Sequence, residues 1–473
     1  MPRPNIVYLM FDQAKASAMG YLGNEHVSTP FTDSLAERGW CFRQAFSASS
    51  ICTPSRASVH TGVYPLVHQV TCHQNRAPCN LPQLAELMTA GGYYTAVAGH
   101  YEPERNLGRG WHEQVPMHRR GPLYESWMAH VRAGRRDVAW SSGTIDRDAS
   151  EGNSSRLTER ILRMIAAAEA SRMPFFLHLC YDDPHPPYFV PPPYDRMVDP
   201  ASLPLPPRGQ DDRLPAWQEQ CRQECGTAAA TDMDVRRVVA TYYGMVSYID
   251  DQMRRVCEEL DKQGLLENTW IILGSDHGDY GGEKGLFNKS ESLYECLLHV
   301  PLIIVPPRDS SHSGAVCTDH LVSTVDLFPT ILRLAGLDVP DYAQGHDLVD
   351  WVEQGCDVPL RDAVFAQVGG YQGRLGTTFP CGMAASGRHP GIVQGTRTRH
   401  FSYVRDPDYG DEAYDLGSDP GELRDLLRPD SGGGPPAVQD LKCRIDAFEH
   451  ECLALRERLG VVPGDRGFVQ GWE

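Results

Sequence analysis

Four runs of continuous apolar residues, each closed by a polar cluster, constrain this chain more than any other feature. They are PNIVYLMF before Asp12-Gln13, YYTAVAG before His100, MPFFLHLCY before Asp182-Asp183-Pro184-His185, and NTWIILGS before Asp276-His277. A run that is apolar at successive positions has to be covered on both faces, the habit of strands in a parallel sheet with helices above and below. Helix-like segments lie between the runs. SSRLTERILRMIAAAEA sets Leu157, Ile161 and Ile165 on one face behind serine caps, and TYYGMVSYIDDQMRRVCEELDKQG closes on Gly264. The alternation predicts an α/β fold with a large, mostly parallel sheet flanked by helices on both faces. Ligands of such sheets gather at the carboxyl ends of the strands, where all four polar clusters would stand.

A chain of 473 residues is longer than one core serves, so a second unit is expected. Segments 102–150 and 186–233 are rich in Pro, Gly, Arg and Asp without clean periodicity and read as long loops framing a site entrance. DHLVSTVDLFPTILRLAGLDVP holds a helix that stops before Gly336 and Pro340, and beyond it the pattern changes. Short extended pieces such as RTRHFSYVRD, a Gly/Pro-rich loop PDSGGGPP and a late helix AVQDLKCRIDAFEHECLALRERLG follow. The expected division is a catalytic α/β domain over 1–350 and a smaller C-terminal α+β domain over 351–473. The apolar stripe Leu441, Ile445, Phe448, Cys452 and Leu455 on that last helix suits packing on its own domain or, less commonly, a homo-oligomer contact.

The net charge of −18 argues against a nucleic-acid partner, because phosphate backbones are bound by clustered Lys and Arg. It leaves room for a small anionic substrate, since a local site can oppose the net field. No stretch reaches the ~20 apolar residues that span a bilayer. The start, MPRPNIVYLMFDQ, lacks the features of a signal peptide, so no membrane partner and a cytoplasmic location are expected. The 14 cysteines are then expected as thiols, not as a disulfide framework. Cys221 with Cys225 and Cys72 with Cys79 lack a second pair to complete a zinc site.

Asp12, Gln13, Asp276 and His277 form an oxygen-rich set with one imidazole, suited to one hard divalent cation: Ca²⁺ first, Mn²⁺ or Mg²⁺ as alternatives. Taken singly, each aspartate reads as a turn residue after a strand; taken together they read as ligands. Within FSASSICTPSRASVHTGVYP, Cys52 opens a helix-like segment with Pro54 in its first turn. Free N–H groups and the positive dipole end stabilise an anion there, and Arg56 adds a cation suited to sulfate, phosphate or an oxyanionic nucleophile. This reads as an activated nucleophile beside an anion site, against the plainer reading of a buried free cysteine. His60, on the same helix, could reach either core or site.

CTPSRAS…TG matches the C-x-P-S-R signature of the type I sulfatases, and PNIVYLMFDQ, PHPPY, SDHGDYGGEKGLFNKSESLYE and AYDLGSDPGELRDLL follow in that family's order. From Asn5 to about Leu427 the chain therefore resembles the formylglycine-dependent sulfatases of the alkaline phosphatase superfamily. The resemblance implies a mixed, mostly parallel sheet and a maturation enzyme that oxidises Cys52 to formylglycine. It also implies a metal held by Asp12, Gln13, the residue at Cys52, Asp276 and His277. In that scheme one oxygen of the hydrated aldehyde attacks sulfur, and loss of the second hydroxyl proton releases sulfate. Lys289 would touch the sulfate, His185 would protonate the leaving alcohol, and Arg56 and His100 would complete the catalytic set.

Two departures matter. Where many sulfatases read G-K-x-H, this chain reads Gly99-His100-Tyr101-Glu102, and its metal pair is Asp12-Gln13 in place of Asp-Asp. The second departure, with Asp276-His277, also resembles the phosphonate monoester hydrolases and phosphodiesterases of the superfamily. Asn75 sits loosely where those enzymes carry an oxyanion asparagine, though it also reads as a turn residue. Glu283 and Lys284 read as solvated loop charges. The expectation is a hydrolase of an organic sulfate ester, with a sulfated sugar as one substrate class. A phosphonate or phosphodiester hydrolase is the rival, and a non-catalytic binding protein on the same fold the more distant alternative.

Overall fold

The computed structural model describes residues 3–73, 75–102, 106–117, 126–127, 129–130, 140–209, 215–310, 314–369, 391–428 and 434–462. Much of the predicted loop 102–150, part of 186–233 and most of PDSGGGPP lie outside them.

The four apolar runs are strands: β1 (Asn5–Phe11), β3 (Tyr94–Gly99), β6 (Phe175–Tyr181) and β8 (Thr269–Ser275). The main sheet also takes in β2 (Trp40–Phe46), β4 (Glu113–Pro116), β9 (His299–Val300), β10 (Leu302–Val305) and β11 (Val316–Ser323). Its order is β11-β2-β10-β8-β1-β6-β3-β4, with β9 paired to β2, so the four predicted strands are neighbours at its centre. They run parallel, Leu9 lying opposite both Leu179 and Leu273, and only β9 and β10 run against the rest. Parallel neighbours end on one edge, so the polar residues after each strand are delivered to one place. DHLVS proves to be the end of β11, pairing parallel with β2, and the helix begins only at Leu327.

Helices cover both faces. On one side α1 (Pro30–Arg38), α3 (Asn153–Ala170) and the long α5 (Asp232–Lys262) bury Val7, Leu9 and Phe11 of β1. On the other, α2 (Cys52–Thr61) and α6 (Leu327–Leu334) cover Ile6, Tyr8 and Met10. Each fully buried aliphatic or aromatic chain contributes about 1.5–3 kcal/mol, so the central strands are the rigid base of the edge they end on. The segment 186–233 carries β7 (Tyr188–Val190), paired with β5 (Ser142–Thr144), and α4 (Ala216–Glu224).

A separate, smaller antiparallel sheet follows: β12 (Val364–Gly369), β13 (Ile392–Arg397), β14 (Phe401–Arg405) and β15 (Glu412–Asp415) in sequential order. The final helix, α7 (Pro436–Leu459), turns its apolar stripe to its own chain, where Phe448 stacks on Phe365 at 4.0 Å and meets Tyr64 edge-on at 4.8 Å. Among the described residues no helix is long and apolar enough to cross a membrane.

Candidate active site

Four strand ends and the first turn of α2 build the site. Gly99 closes β3 at φ 96°, where a Cβ would stand 1.8 Å from the Cys180 carbonyl oxygen; only glycine lets β3 hug β6 and release His100 over the edge. Asp12 follows β1, Asp276 and His277 follow β8, and Cys52 begins α2 after Ile51. One ligand atom each of Asp12, Cys52, Asp276 and His277 lies within 4.8 Å of the others, and all four residues are buried.

Arg56, one turn beyond Cys52, locks the carboxylates. Its Nη2 lies 3.1 Å from Asp12 Oδ2 and 2.8 Å from Asp276 Oδ2, while Nη1 donates to the His100 carbonyl. The sequence reading gave this guanidinium an anionic substrate or nucleophile to hold. The structure engages it with the carboxylates beneath instead, which makes it a holder of candidate ligands. Burial pushes the Asp12 carboxyl up, but His185, Arg56, the His100 hydrogen bond and Lys289 together hold it well below the usual range. Asp276 Oδ1 accepts the backbone N–H groups of Gln13 at 3.0 Å and His277 at 2.9 Å, which ties the two strand ends together.

His277 is buried, and desolvation is the main reason its pKa falls to about 4. Its Nδ1 lies 2.8 Å from the Gly278 carbonyl and is therefore the protonated nitrogen, which leaves the Nε2 lone pair turned to the cluster, 3.1 Å from Cys52 Sγ. The Cys52 thiol is pushed well up, first by burial and then by Asp12, with Lys289 opposing. The helix N-terminus is thus outweighed, and the sulfur itself is not the activated thiolate that position alone suggests. Lys289 Nζ lies 3.1 Å from Sγ and 2.7 Å from Gln13 Oε1. Burial opposes its charge, but Cys52, Asp12 and Asp276 raise its pKa above the ordinary value.

His100 is the residue that follows Gly99, where the resemblance implies a lysine. Its Nδ1 is 2.8 Å from Asp12 Oδ2 and 3.5 Å from Asp182 Oδ1, a trio with the spacing to hold a second ion. The Arg56 guanidinium already neutralises that same Asp12 oxygen, so electrostatics disfavour a further dication there. Glu102 accepts from Thr53 Oγ1 at 2.8 Å. Burial would raise its pKa, but His73, with smaller help from His100 and Arg56, brings it down to about 2. His185 is buried on the segment after β6, its Nδ1 2.7 Å from the Pro186 carbonyl, and its charge acts on Asp12.

All nine residues singled out for catalysis or metal binding thus meet at one edge. His60 does not belong to them: it is buried against Trp111 and His178, and desolvation drops its pKa to about 4. Asn75 takes Thr71 and Cys72 backbone N–H groups on its Oδ1, the work of a turn residue. Lys284 and Glu283 are not solvated charges. Lys284 is 1% exposed, with Nζ on the Gly421 and Glu422 carbonyls and 4.0 Å above the Tyr294 ring, and Glu283 pairs with Lys15 at 2.8 Å. Asp279, Asn288 and Tyr188, which sequence reasoning passed over, hydrogen-bond around Gln13; the position of Asp279 two residues after His277 and of Asn288 directly before Lys289 was the available signal for the first two.

The donor set fits a divalent cation: two carboxylates, one neutral imidazole nitrogen and residue 52 converge in a buried site, and the Gln13 amide oxygen shares Lys289 Nζ with residue 52. The profile of the family described as sulfatase matches residues 4–337, and one for the C-terminal part of N-sulphoglucosamine sulphohydrolase matches residues 282–445. The chain is 26% identical over 470 residues to an ulvan-active sulfatase of Formosa agariphila, covering 96% of this chain and 81% of that one. It is 28% identical over 386 residues to an arylsulfatase of Clostridium perfringens, covering 74% and 79%. The solved phosphonate monoester hydrolase of Agrobacterium radiobacter shares the fold at a TM-score of 0.74 and 24% identity, over 97% of this chain and 96% of that one. BT4656, solved in complex with its substrate D-glucosamine-2-N,6-O-disulfate, does so at 0.74 and 19%, over 96% and 98%.

Proposed function

Since the chain belongs to the sulfatase family and its relatives include an ulvan-active sulfatase and an arylsulfatase, we propose that it cleaves an organic sulfate ester to an alcohol and sulfate, with sulfated carbohydrates the first substrate class to try. One observation carries the reading: Cys52 Sγ stands among Asp12, Asp276 and His277 with Lys289 3.1 Å away. Converted to formylglycine by a maturation enzyme, residue 52 would supply the oxygen nucleophile. A divalent cation on Asp12, Gln13, residue 52, Asp276 and His277 would add Lewis-acid chemistry, Ca²⁺ being the first choice for so oxygen-rich a set.

The chain's own residues do the rest. Arg56 helps keep Asp12 ionised and holds Asp12 and Asp276 in place. Lys289, charged and buried, neutralises a sulfuryl oxygen beside residue 52. His185 carries the proton to the departing alcohol, and His100, between Asp12 and Asp182 and partly open to solvent, faces the substrate where the family more often places a lysine. Gln13 as an amide in place of a second aspartate favours one other reading, hydrolysis of a phosphonate monoester or phosphodiester by the same machinery.

Initial rates on a matched aryl sulfate and aryl phosphonate monoester, with protein produced alongside a maturation enzyme, separate the two. Faster sulfate hydrolysis supports the proposal, faster phosphonate hydrolysis replaces it with the second reading, and no turnover of either by converted protein removes both.

A further inference from the structure

Gln13 stands at φ 72° and Asn288, which faces it, at φ 65°, both in the left-handed region that residues other than glycine seldom enter. A side-chain amide is nearly symmetric in shape but not in chemistry, because only its carbonyl end can ligate a cation. Something must decide which end of Gln13 faces the cluster, and the surrounding hydrogen bonds identify it. Gln13 Nε2 donates to Asp279 Oδ2 at 2.6 Å and to Asn288 Oδ1 at 2.9 Å, which leaves Oε1 turned towards Lys289 Nζ at 2.7 Å. Flipping the amide would set its oxygen against a carboxylate and its NH₂ against an ammonium.

Asp279 is fully buried, and no step assigned above uses it. It does more than hold Gln13. The Tyr188 hydroxyl donates to Asp279 Oδ2 at 2.8 Å and accepts the Asn288 backbone N–H at 2.8 Å, and the Gly281 N–H caps Asp279 Oδ1 at 2.6 Å. One carboxylate thereby joins the end of β1, the start of β7 and the loop that carries Lys289.

Resting on the reading of the cluster as a divalent-cation site, we infer that Asp279 is a positioning residue that fixes the amide orientation of Gln13 and so sets the affinity of the site for its cation. An asparagine at 279 presents both a donor and an acceptor, so the carboxylate's share of that preference disappears and only Lys289 and Asn288 still oppose the flip. Groups that orient a metal's ligands are worth about 10- to 100-fold in affinity.

The test is calorimetric titration of Ca²⁺, with Mn²⁺ in parallel, into the metal-stripped full chain, for the unaltered protein, Gln13→Ala, Asp279→Asn and the double variant. The expected result is a Ca²⁺ dissociation constant raised about 10- to 100-fold in Asp279→Asn, with the double variant no weaker than the weaker single one. A merely structural Asp279 would lower the metal-free melting temperature without coupling to Gln13. Binding by Asp279→Asn within twofold of the unaltered chain, or losses that multiply in the double variant, overturns the inference. Should Asp279→Asn fail to fold, Tyr188→Phe removes one hydrogen bond from the same oxygen and must weaken Ca²⁺ in the same direction by less; an unchanged constant overturns it equally. An unaltered chain that binds neither ion removes the metal reading itself, an outcome distinct from the others.

Discussion

The loop after β8 carries two buried lysines, Lys284 and Lys289, to two different fates. Lys284 enters a closed set: its Nζ meets the Gly421 and Glu422 carbonyls and the Tyr294 ring, while Tyr294, Tyr414 and Trp217 all donate to Glu412 at 2.6 to 3.0 Å. Donors and acceptors there answer one another and clamp the loop to the smaller sheet. Lys289 enters an open set. Its neighbours Asp12, Asp276, His277 and Cys52 point their ligand atoms at a shared volume, and the cations around them, Arg56 and Lys289, stabilise negative charge that a substrate and a metal ion would share. Burial and charge alone do not distinguish structure from chemistry; what distinguishes them is whether the polar atoms converge on each other or on a common point.

Breaking the open set should cost rate, and breaking the closed set should cost stability. The largest effect is expected for Cys52→Ala, with turnover of an aryl sulfate falling by about four orders of magnitude or more while the melting curve shifts little. Lys289→Met should lower kcat/KM by about 10²- to 10³-fold, the usual worth of one donor to a developing charge. Lys284→Met reverses the pattern: chemical denaturation should show a loss of about 3–5 kcal/mol, with kcat/KM of the folded fraction changed less than about threefold. If Lys284→Met costs rate without stability, the comparison fails.

The smallest effect sharpens the contrast from a third position. His60 is buried at a pKa of about 4 against 6.5 in the open chain, so between those values the unfolded chain binds a proton that the folded chain refuses. Its contribution is therefore complete above pH 6.5 and is lost as the pH falls towards 4, by about 2 kcal/mol at pH 5. Denaturant melts of His60→Leu should decline less steeply over that window than those of the unaltered chain. Equal declines would mean that His60 is more solvated than its packing against Trp111 and His178 indicates.

The sheet centre and most of the candidate site were legible in the sequence because a parallel sheet places chemistry directly after apolar runs, so Asp12, His100, Asp182 and Asp276 announce themselves. Cys52 and Arg56 were legible through the spacing of their motif, but the pairing of Arg56 with Asp12 and Asp276 was not, since those carboxylates lie more than 40 residues away on one side and 200 on the other. Asp279 and Asn288 lie in an aperiodic loop where only nearness to His277 and Lys289 marks them, and Tyr188 opens a three-residue strand too short to show a period. Lys284 is hidden for the same reason: a lysine in a glycine-rich loop, between Glu283 and Gly285, looks solvated until the Tyr294 and Tyr414 rings close over it. DHLVS is not separable from the following helix in the sequence because a short apolar run does not reveal its period, and only pairing with β2 makes it a strand.

The most direct test is to plot aryl sulfate turnover against the fraction of Cys52 converted to the aldehyde, measured by peptide mass spectrometry on preparations matured to different extents. The account predicts a straight line through the origin that collapses on chelation and returns with Ca²⁺. Turnover that persists at zero conversion, or fully converted protein with no turnover, would contradict it.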